Sequence, residues 1–122
     1  MRMTSKQELG RLGEDVAVLA YATEGFACVA RRWRRAEGEL DLIMRQNDVL
    51  VFAEVKTRRG RNCGLPEESV DARRLARMRR VARRYLHEES PRGIREFRFD
   101  VVAIELGPHP GCLSVRLLAG VV

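Results

Sequence analysis

The sequence predicts a single α/β domain, residues 1–122, built on a mixed β-sheet of about five strands flanked by helices. Three observations predict this fold class. A capped amphipathic segment opens the chain, three strand-like segments follow it, and a long arginine-rich helical segment precedes two further strands. The predicted order of elements is therefore αβββαββ. With 122 residues, of which 45% are hydrophobic, the chain is long enough to form one hydrophobic core.

The first helix is predicted to run from Thr4 or Ser5 to about Ala22. Either residue can cap its N-terminus, and Glu8 completes a capping box. Large apolar side chains at three- and four-residue spacing are expected to face the core; they are Leu9, Leu12, Val16 and Leu19. A second stripe would let another backbone or a ligand approach closely, since it consists of the small residues Gly10, Gly13, Ala17 and Ala20. Glu14 lies beside this second stripe, where an ordinary exposed carboxylate is the simpler interpretation.

A first strand is predicted from Phe26 to Trp33, and arginines surround its end. Arginines interleaved with an aromatic ring can contact a phosphate backbone and an unstacked base, which would make Arg32, Trp33 and Arg34 a nucleic-acid surface. The alternative is that Trp33 packs in the core and the arginines keep that edge soluble. The sequence favours neither.

The central segment, residues 38–58, is expected to form a β-hairpin around a polar turn at residues 45–48. Its second strand is apolar on both faces from Val49 to Ala53, which is typical of a central strand that is covered on both sides. That strand then runs directly into charged residues.

The charges of the hairpin are placed so that they can meet. Because side chains alternate along a strand, Glu39 and Asp41 share one face of the first strand, and Glu54 and Lys56 share one face of the second. Two or three carboxylates converging with one lysine could form a divalent-cation site. A solvated strand end with a simple salt bridge is the alternative, and spacing alone favours it.

A second helix follows the hairpin. Residues 57–64 are polar, basic and twice interrupted by glycine, which predicts a mobile loop, and Pro66 is expected to open a helix that runs to about Glu89. Its predicted buried face consists of Leu75, Met78, Val81, Ala82, Tyr85 and Leu86. The opposite side carries Arg73, Arg77, Arg80 and Arg84. With few acids to balance this ridge, phosphate contact is favoured over a merely solvated helix face.

Two strands close the chain, at residues 95–106 and 113–118, and are expected to pair antiparallel across a Gly/Pro turn. The net charge of +6 and the pI near 10 point to a polyanionic partner, nucleic acid first. Cys28, Cys63 and Cys112 indicate neither a disulfide framework nor a zinc site, since they are odd in number and widely spaced. No segment is apolar enough for a membrane span or signal peptide, so a cytoplasmic protein is expected.

Six blocks, taken in order, resemble the bacterial UPF0102 family, also called the YraN family. They are Gly13-Glu14, Trp33-Arg34, residues 38–43 (GELDLI), residues 52–58 (FAEVKTR), residues 66–70 (PEESV) and residues 98–103 (RFDVVA). This family is similar to archaeal Holliday-junction resolvases and to the PD-(D/E)xK nucleases. The resemblance therefore implies a restriction-endonuclease-like core and favours the cation site over the simple salt bridge.

The resemblance also implies roles for particular residues. Asp41, Glu54 and Lys56 match the aspartate, second acid and lysine of the nuclease motif, and Glu14 matches the helix glutamate that completes the acidic cluster. The ligands of one or two Mg²⁺ ions, for which Mn²⁺ could substitute, would be Glu14, Asp41, Glu54 and the Val55 carbonyl. Glu39, which shares a strand face with Asp41, would contact these ligands and orient them without binding the metal itself. Three positions depart from the family: Leu40 replaces the motif's proline, Arg32 stands where asparagine is frequent, and Arg74 lies where a lysine is frequent.

These expectations combine into a metal-dependent endonuclease that acts on DNA rather than RNA, including branched DNA. The residues expected to contact nucleic acid are Arg32, Trp33, Arg34, Arg58, Arg73, Arg77, Arg80 and Arg84. A homodimer would suit a two-fold branched substrate. The main alternative is a nucleic-acid-binding module that retains the nuclease fold but cleaves nothing; a structural protein with plain ion pairs is the third.

Overall fold

A computed structural model of the protein describes residues 5–59, 72–107 and 113–118, the last of these as backbone. The elements are α1 (Lys6–Thr23), β1 (Ala27–Arg35), β2 (Gly38–Gln46), β3 (Val49–Arg59), α2 (Ala72–Glu89), β4 (Glu96–Leu106) and β5 (Leu113–Leu118). The predicted mixed α/β class and its order of elements are confirmed. No helix in these ranges is long and apolar enough to cross a membrane.

The five strands form one sheet in the order β1-β2-β3-β4-β5. β3 pairs with β4 in parallel, whereas the other three pairings are antiparallel. A parallel pair needs a crossover connection, and α2 lies in that crossover. β3 is the central strand of the sheet, as its apolar run from Val49 to Ala53 predicts.

One helix covers each face of the sheet. The α1 face buries Tyr21 with Leu42, Met44, Val51 and Ile104 among others. The opposite face buries Leu40, Ile43 and Phe52 beneath the α2 residues Met78, Val81, Ala82 and Tyr85. The apolar face predicted for the second helix is therefore confirmed. Its predicted start at Pro66 lies outside the described residues, as do the family block at residues 66–70 and Cys63 and Cys112.

The apolar stripe predicted to bury α1 is wrong at Leu12 and Leu19, whereas Val16 is partly buried and packs against the core as predicted. Ser5 caps the helix as predicted, accepting a hydrogen bond from the Glu8 N–H, but Leu12 is 44% exposed and Leu19 67% exposed. The side facing the sheet instead carries the small-residue stripe together with Glu14 and Tyr21. The reason is steric, because a Cβ on Gly13 would lie 1.7 Å from Thr57 Oγ1. The helix approaches β3 too closely for a leucine at that position.

The loop predicted from Thr57 is also corrected at its start. Thr57, Arg58 and Arg59 continue β3 and pair with residues 104–106 of β4. Parallel pairing to a long partner strand extends β3 through a polar sequence that favours a loop when it is considered alone. Residues 60–64 of the predicted loop lie outside the described ranges.

A buried polar network fixes α1 on the sheet. The Tyr21 hydroxyl donates a hydrogen bond of 2.7 Å to Asp100 Oδ2, and Arg98 donates to both oxygens of the same carboxylate. Asp100 is fully buried, so these charge-assisted bonds offset the cost of its desolvation. Burial, followed by the nearby Asp100 charge, raises the pKa of Tyr21. The network sets the position of α1 and therefore that of Glu14.

Candidate catalytic site

The site begins where β2 and β3 stop pairing. Their ladder runs from Gln46–Val49 to Leu42–Ala53 and ends there. The next residue of β2 is Asp41, whose Oδ2 accepts a hydrogen bond of 2.8 Å from the Val55 N–H. The carboxylate of Asp41 therefore takes the place of a strand partner and is held beside Glu54 at the opening between the strands.

Asp41 lines two clefts on either side of this opening. One cleft, of about 280 Å³, is lined by Gly38, Glu39, Asp41, Glu54, Arg74, Arg77 and Met78. The other, of about 350 Å³, is lined by Lys6, Leu9, Gly10, Glu14, Asp41, Val55, Lys56 and Thr57. Asp41 is thus the residue common to both, with Glu39 and Glu54 on one side and Glu14 and Lys56 on the other.

The charge on Asp41 is costly in the free protein. Burial above all, together with the nearby carboxylates Glu54, Glu14 and Glu39, raises its pKa to about 7 against the lowering effect of the Val55 hydrogen bond. A carboxyl group with this pKa is partly protonated at neutral pH. A bound cation would reverse the preference and stabilise the ionised form.

The two carboxylate oxygens of Glu54 have different environments. Its Oε1 lies 2.7 Å from Arg74 Nε, whereas its Oε2 is buried and has no hydrogen-bond partner among the described residues. Burial raises the pKa of Glu54 despite the opposing charges of Arg74 and Lys56. Burial, and then Arg74, lowers the pKa of Lys56. The Glu54 Oε2 atom is therefore a free acceptor next to a lysine whose charge is itself disfavoured.

Glu14 is ion-paired with the neighbouring strand. Its Oε1 accepts a hydrogen bond of 2.8 Å from Arg32 Nε and lies 3.6 Å from Arg31 Nη2, which also bonds Asp15. Arg32 makes this contact from a left-handed backbone conformation, with φ of 52°. Such a conformation costs roughly 1 kcal/mol for a non-glycine residue, so the ion pair is formed against local backbone preference.

The residues present fit a hard divalent cation. Asp41, Glu54 and the Val55 carbonyl offer only oxygen ligands, the type that Mg²⁺ prefers. The buried Glu54 Oε2 has no partner in the described part of the chain, and a cation would supply one. Within the described ranges, no three His, Cys, Asp or Glu side chains lie close enough together to hold a metal ion. The ligand set of Asp41, Glu54 and the Val55 carbonyl therefore stays a prediction. The role of Glu14 as a further ligand stays a prediction.

The arginines and tryptophan predicted near the first strand are engaged within the protein. Trp33 is half-buried and packs edge-to-face on Tyr85 at 5.2 Å between ring centroids, and Arg35 lies over its indole at 3.9 Å. Arg34 donates to Glu39 at 2.6 and 2.9 Å. These contacts are those of the packing interpretation, and nucleic-acid contact by Arg32, Trp33 and Arg34 stays a prediction.

The predicted arginine ridge of α2 separates into two groups. Arg84 pairs with Glu37 and Glu88, and on β3 Arg58 lies 3.7 Å from Glu105. By contrast Arg73, Arg77 and Arg80 are exposed and form no ion pair with a described residue. Arg77 also lines the cleft that contains Glu54, which brings this part of the ridge to the candidate site.

Sequence reasoning missed the roles of three arginines. Arg74, noted only as a departure from the family, holds Glu54, while Arg79 and Arg83 line a separate groove. The signal that could have found them is the density of arginine in α2, since a helix with seven arginines presents them on more than one face.

Comparison with known proteins is consistent with this arrangement of motifs. The chain is 47% identical to a UPF0102 protein of Frankia alni over 98% of each chain. It is 44% identical to a UPF0102 protein of Beutenbergia cavernae over 98% of this chain and 99% of the relative, and 38% identical to one of Dictyoglomus turgidum over 93% and 96%. The family model for the uncharacterised protein family UPF0102 matches residues 13–104. The chain belongs to the UPF0102 family.

Proposed function

We propose that the protein is a metal-dependent endonuclease that hydrolyses phosphodiester bonds in DNA. The observation that carries this proposal is the placement of Asp41 at the opening between β2 and β3. There it is held by the Val55 N–H, near Glu54, whose Oε2 has no partner among residues 5–59 and 72–107, and in a cleft with Lys56. A purely structural strand end has no need of two half-buried carboxylates that the described residues compensate only in part.

Each residue of the site has a role in this proposal. Asp41, Glu54 and the Val55 carbonyl hold Mg²⁺ or Mn²⁺, with Glu14 joining them directly or through water. When bound, the cation polarises the scissile phosphate and lowers the pKa of a coordinated water. Lys56 donates to the phosphate oxygens and stabilises the negative charge that develops on them. Glu39, held by Arg34, orients the ligand set from the side of the first cleft.

Arg74 forms an ion pair with Glu54. The 2.7 Å contact compensates one buried carboxylate oxygen. A cation at Glu54 would release the guanidinium, which then lies in the same cleft as Arg77 and can contact the substrate phosphate.

The substrate follows from the arginines of α2. A helix with seven arginines and two glutamates next to an acidic cleft suits a polyanion that spans both features. DNA, including branched DNA, is the proposed substrate, RNA is the alternative, and a homodimer would place two such sites on a two-fold junction.

The test is cleavage of a labelled panel of duplex, single strand, flap, four-way junction and structured RNA, with Mg²⁺ or Mn²⁺ against EDTA. Asp41→Asn and Lys56→Ala should each abolish cleavage by a folded protein. Arg11→Ala should not, because it removes one exposed charge from α1 that is not among the residues lining either cleft. Metal-dependent cutting that persists in both site variants would refute the proposal.

A second candidate is a nucleic-acid-binding module that does not cleave. It is favoured by the arginine pairing of Glu14 and Glu54, which gives each carboxylate a partner without a metal. This candidate predicts salt-sensitive binding that survives EDTA and Lys56→Ala, together with no cutting of any panel member.

A further inference from the structure

A groove that the catalytic proposal does not use lies between α2 and β4. Its volume is about 240 Å³, and its lining residues are Phe52, Phe97, Phe99, Ala82, Leu86, Arg79 and Arg83. We propose that this groove binds one unpaired nucleobase of the nucleic acid, with the adjoining phosphates held by Arg79 and Arg83. The inference rests on the proposed function, because it names the feature of the substrate that the protein recognises.

The floor of the groove is aromatic and partly open. Phe52 is fully buried, and Phe99 packs against it at 5.5 Å between ring centroids. Phe97 is 49% exposed at the start of β4, opposite Leu50. It remains open because α2 packs mainly on β2, so its cover ends before β4. The exposed ring of Phe97, beside the buried rings of Phe52 and Phe99, offers a surface on which a flat ring can stack.

The rim of the groove is cationic. Arg79 and Arg83 lie one turn apart on the same side of α2, and neither forms an ion pair with any residue in the described ranges. Two other arginines of α2 do form ion pairs: Arg74 pairs with Glu54, and Arg84 pairs with Glu37 and Glu88. An aromatic floor beneath two uncompensated guanidinium groups complements a flat ring that carries negative charge beside it, which describes a nucleotide.

The groove and the candidate catalytic cleft share one helix. Arg77 lines the cleft and Arg83 the groove, and six residues at 1.5 Å each place them about 9 Å apart along the helix axis. The same six residues turn by about 240° around the axis, and the cleft borders β2 whereas the groove borders β4. A strand whose phosphate lies in the cleft therefore crosses the exposed side of α2 to reach the groove. A base inside a duplex cannot offer its face to Phe97, so the base must be unpaired, as in a single strand, a flap or an open junction.

The experiment measures binding of a single strand of about 15 nucleotides and of a blunt hairpin duplex, both in EDTA so that no cleavage occurs. The strand carries 2-aminopurine, whose fluorescence is quenched when it stacks. Phe97→Leu should weaken single-strand binding about fivefold or more and abolish the quenching, while changing duplex binding by less than about twofold. Phe97→Tyr should retain both properties, since it keeps the ring.

Matched controls separate the groove from general effects. Leu19→Ala removes an exposed apolar side chain from α1, and Arg11→Gln removes an exposed charge there; neither should alter the preference for the single strand. The double variant Arg79→Gln and Arg83→Gln should weaken single-strand binding and reduce its salt dependence. Thermal unfolding monitors whether each variant is folded.

The outcomes distinguish the two proposals. Wild-type single-strand affinity and quenching in Phe97→Leu would overturn the groove inference and leave the nuclease proposal intact. Equal losses for strand and duplex would also overturn it, because they indicate a general surface. If an acidic peptide displaces the bound single strand from the groove, the groove binds a protein partner instead, and the inference is overturned. Failure of the intact protein to bind or cut any nucleic acid would overturn both proposals.

Discussion

Replacing Asp41 by asparagine should stabilise the metal-free protein at alkaline pH while it removes activity. Asp41 is buried among three other carboxylates, which raises its pKa to about 7. Asparagine retains an oxygen that can accept the Val55 hydrogen bond and carries no charge. The substitution therefore removes the cost of ionising a buried group and preserves the contact that closes the strand opening.

The magnitude follows from linkage between folding and protonation. A pKa that rises from 3.8 in the unfolded chain to about 7 in the folded protein means that the folded state holds the proton more tightly. The stabilisation that this provides is complete below about pH 4 and is lost as the pH rises through 7. A difference of about three between the two pKa values corresponds to about 4 kcal/mol. The substituted asparagine does not titrate, so the variant should gain up to this amount over the wild type between about pH 4 and pH 8.

Urea unfolding in EDTA at about pH 4 and about pH 8 measures the difference in the free energy of unfolding between Asp41→Asn and the wild type. Asp48→Asn in the hairpin turn serves as a control for loss of one carboxylate and should not show the same pH dependence. At the higher pH, Mg²⁺ should stabilise the wild type and leave Asp41→Asn unchanged, because binding to the folded state alone raises stability. An equal stability difference between variant and wild type at the two pH values would refute the reasoning, since Asp41 would then be ionised and compensated throughout.

Three further predictions address the scaffold and the arginine exchange. Tyr21→Phe leaves the buried Asp100 without one donor and should cost about 1–3 kcal/mol in urea unfolding; wild-type stability would show that the hydroxyl is dispensable. Gly13→Ala places a methyl group against Thr57 Oγ1 and should cost about 1–3 kcal/mol. Thr57→Gly should recover part of that loss, and no recovery would mean that the clash lies elsewhere. Arg74→Gln should tighten Mg²⁺ binding severalfold by calorimetry, because the cation no longer competes with a guanidinium; unchanged affinity would remove Arg74 from the exchange.

Much of the central hairpin could be predicted from the sequence because its information is local. Alternation along β3 places Glu54 and Lys56 beyond an apolar run, and that run predicts the central strand that the sheet contains. The polar turn fixes the antiparallel partner, so Asp41 is expected near Glu54 once the hairpin forms. The hydrogen bond from the Val55 N–H to Asp41 could not be predicted from alternation, because it depends on the residue at which β2 and β3 separate.

The orientation of α1 could not be predicted from the same kind of pattern. Periodicity shows that Leu12 and Leu19 share one face and that Gly13 and Ala17 share another, but it does not determine which face packs. The outcome depends on how closely β3 approaches, and this distance is set by Thr57 and the Tyr21–Asp100 contact. Tertiary constraints thus overrode the larger apolar area of the leucines.

The ion pairs of the arginines likewise join residues that are far apart in the sequence. Arg74 and Glu54 are separated by twenty residues in the sequence, and Arg32 and Glu14 by eighteen. Composition predicted an arginine-rich surface for a polyanion. It could not separate Arg74 and Arg84, which hold glutamates, from Arg79 and Arg83, which pair with no acid that the structure describes. The distinction matters because only uncompensated guanidinium groups contribute fully to phosphate binding.

The unequal compensation of charge is the strongest physical argument for a functional site. The protein fully satisfies Asp100 with one tyrosine and one arginine, so the fold is able to neutralise a buried carboxylate where structure alone requires it. At the opening between β2 and β3 it does not. Asp41 keeps a single backbone donor and an elevated pKa, and Glu54 keeps a buried oxygen without a partner in the described residues. Stability lost at one place and not at the other is the expected result when the missing positive charge comes from a bound cation.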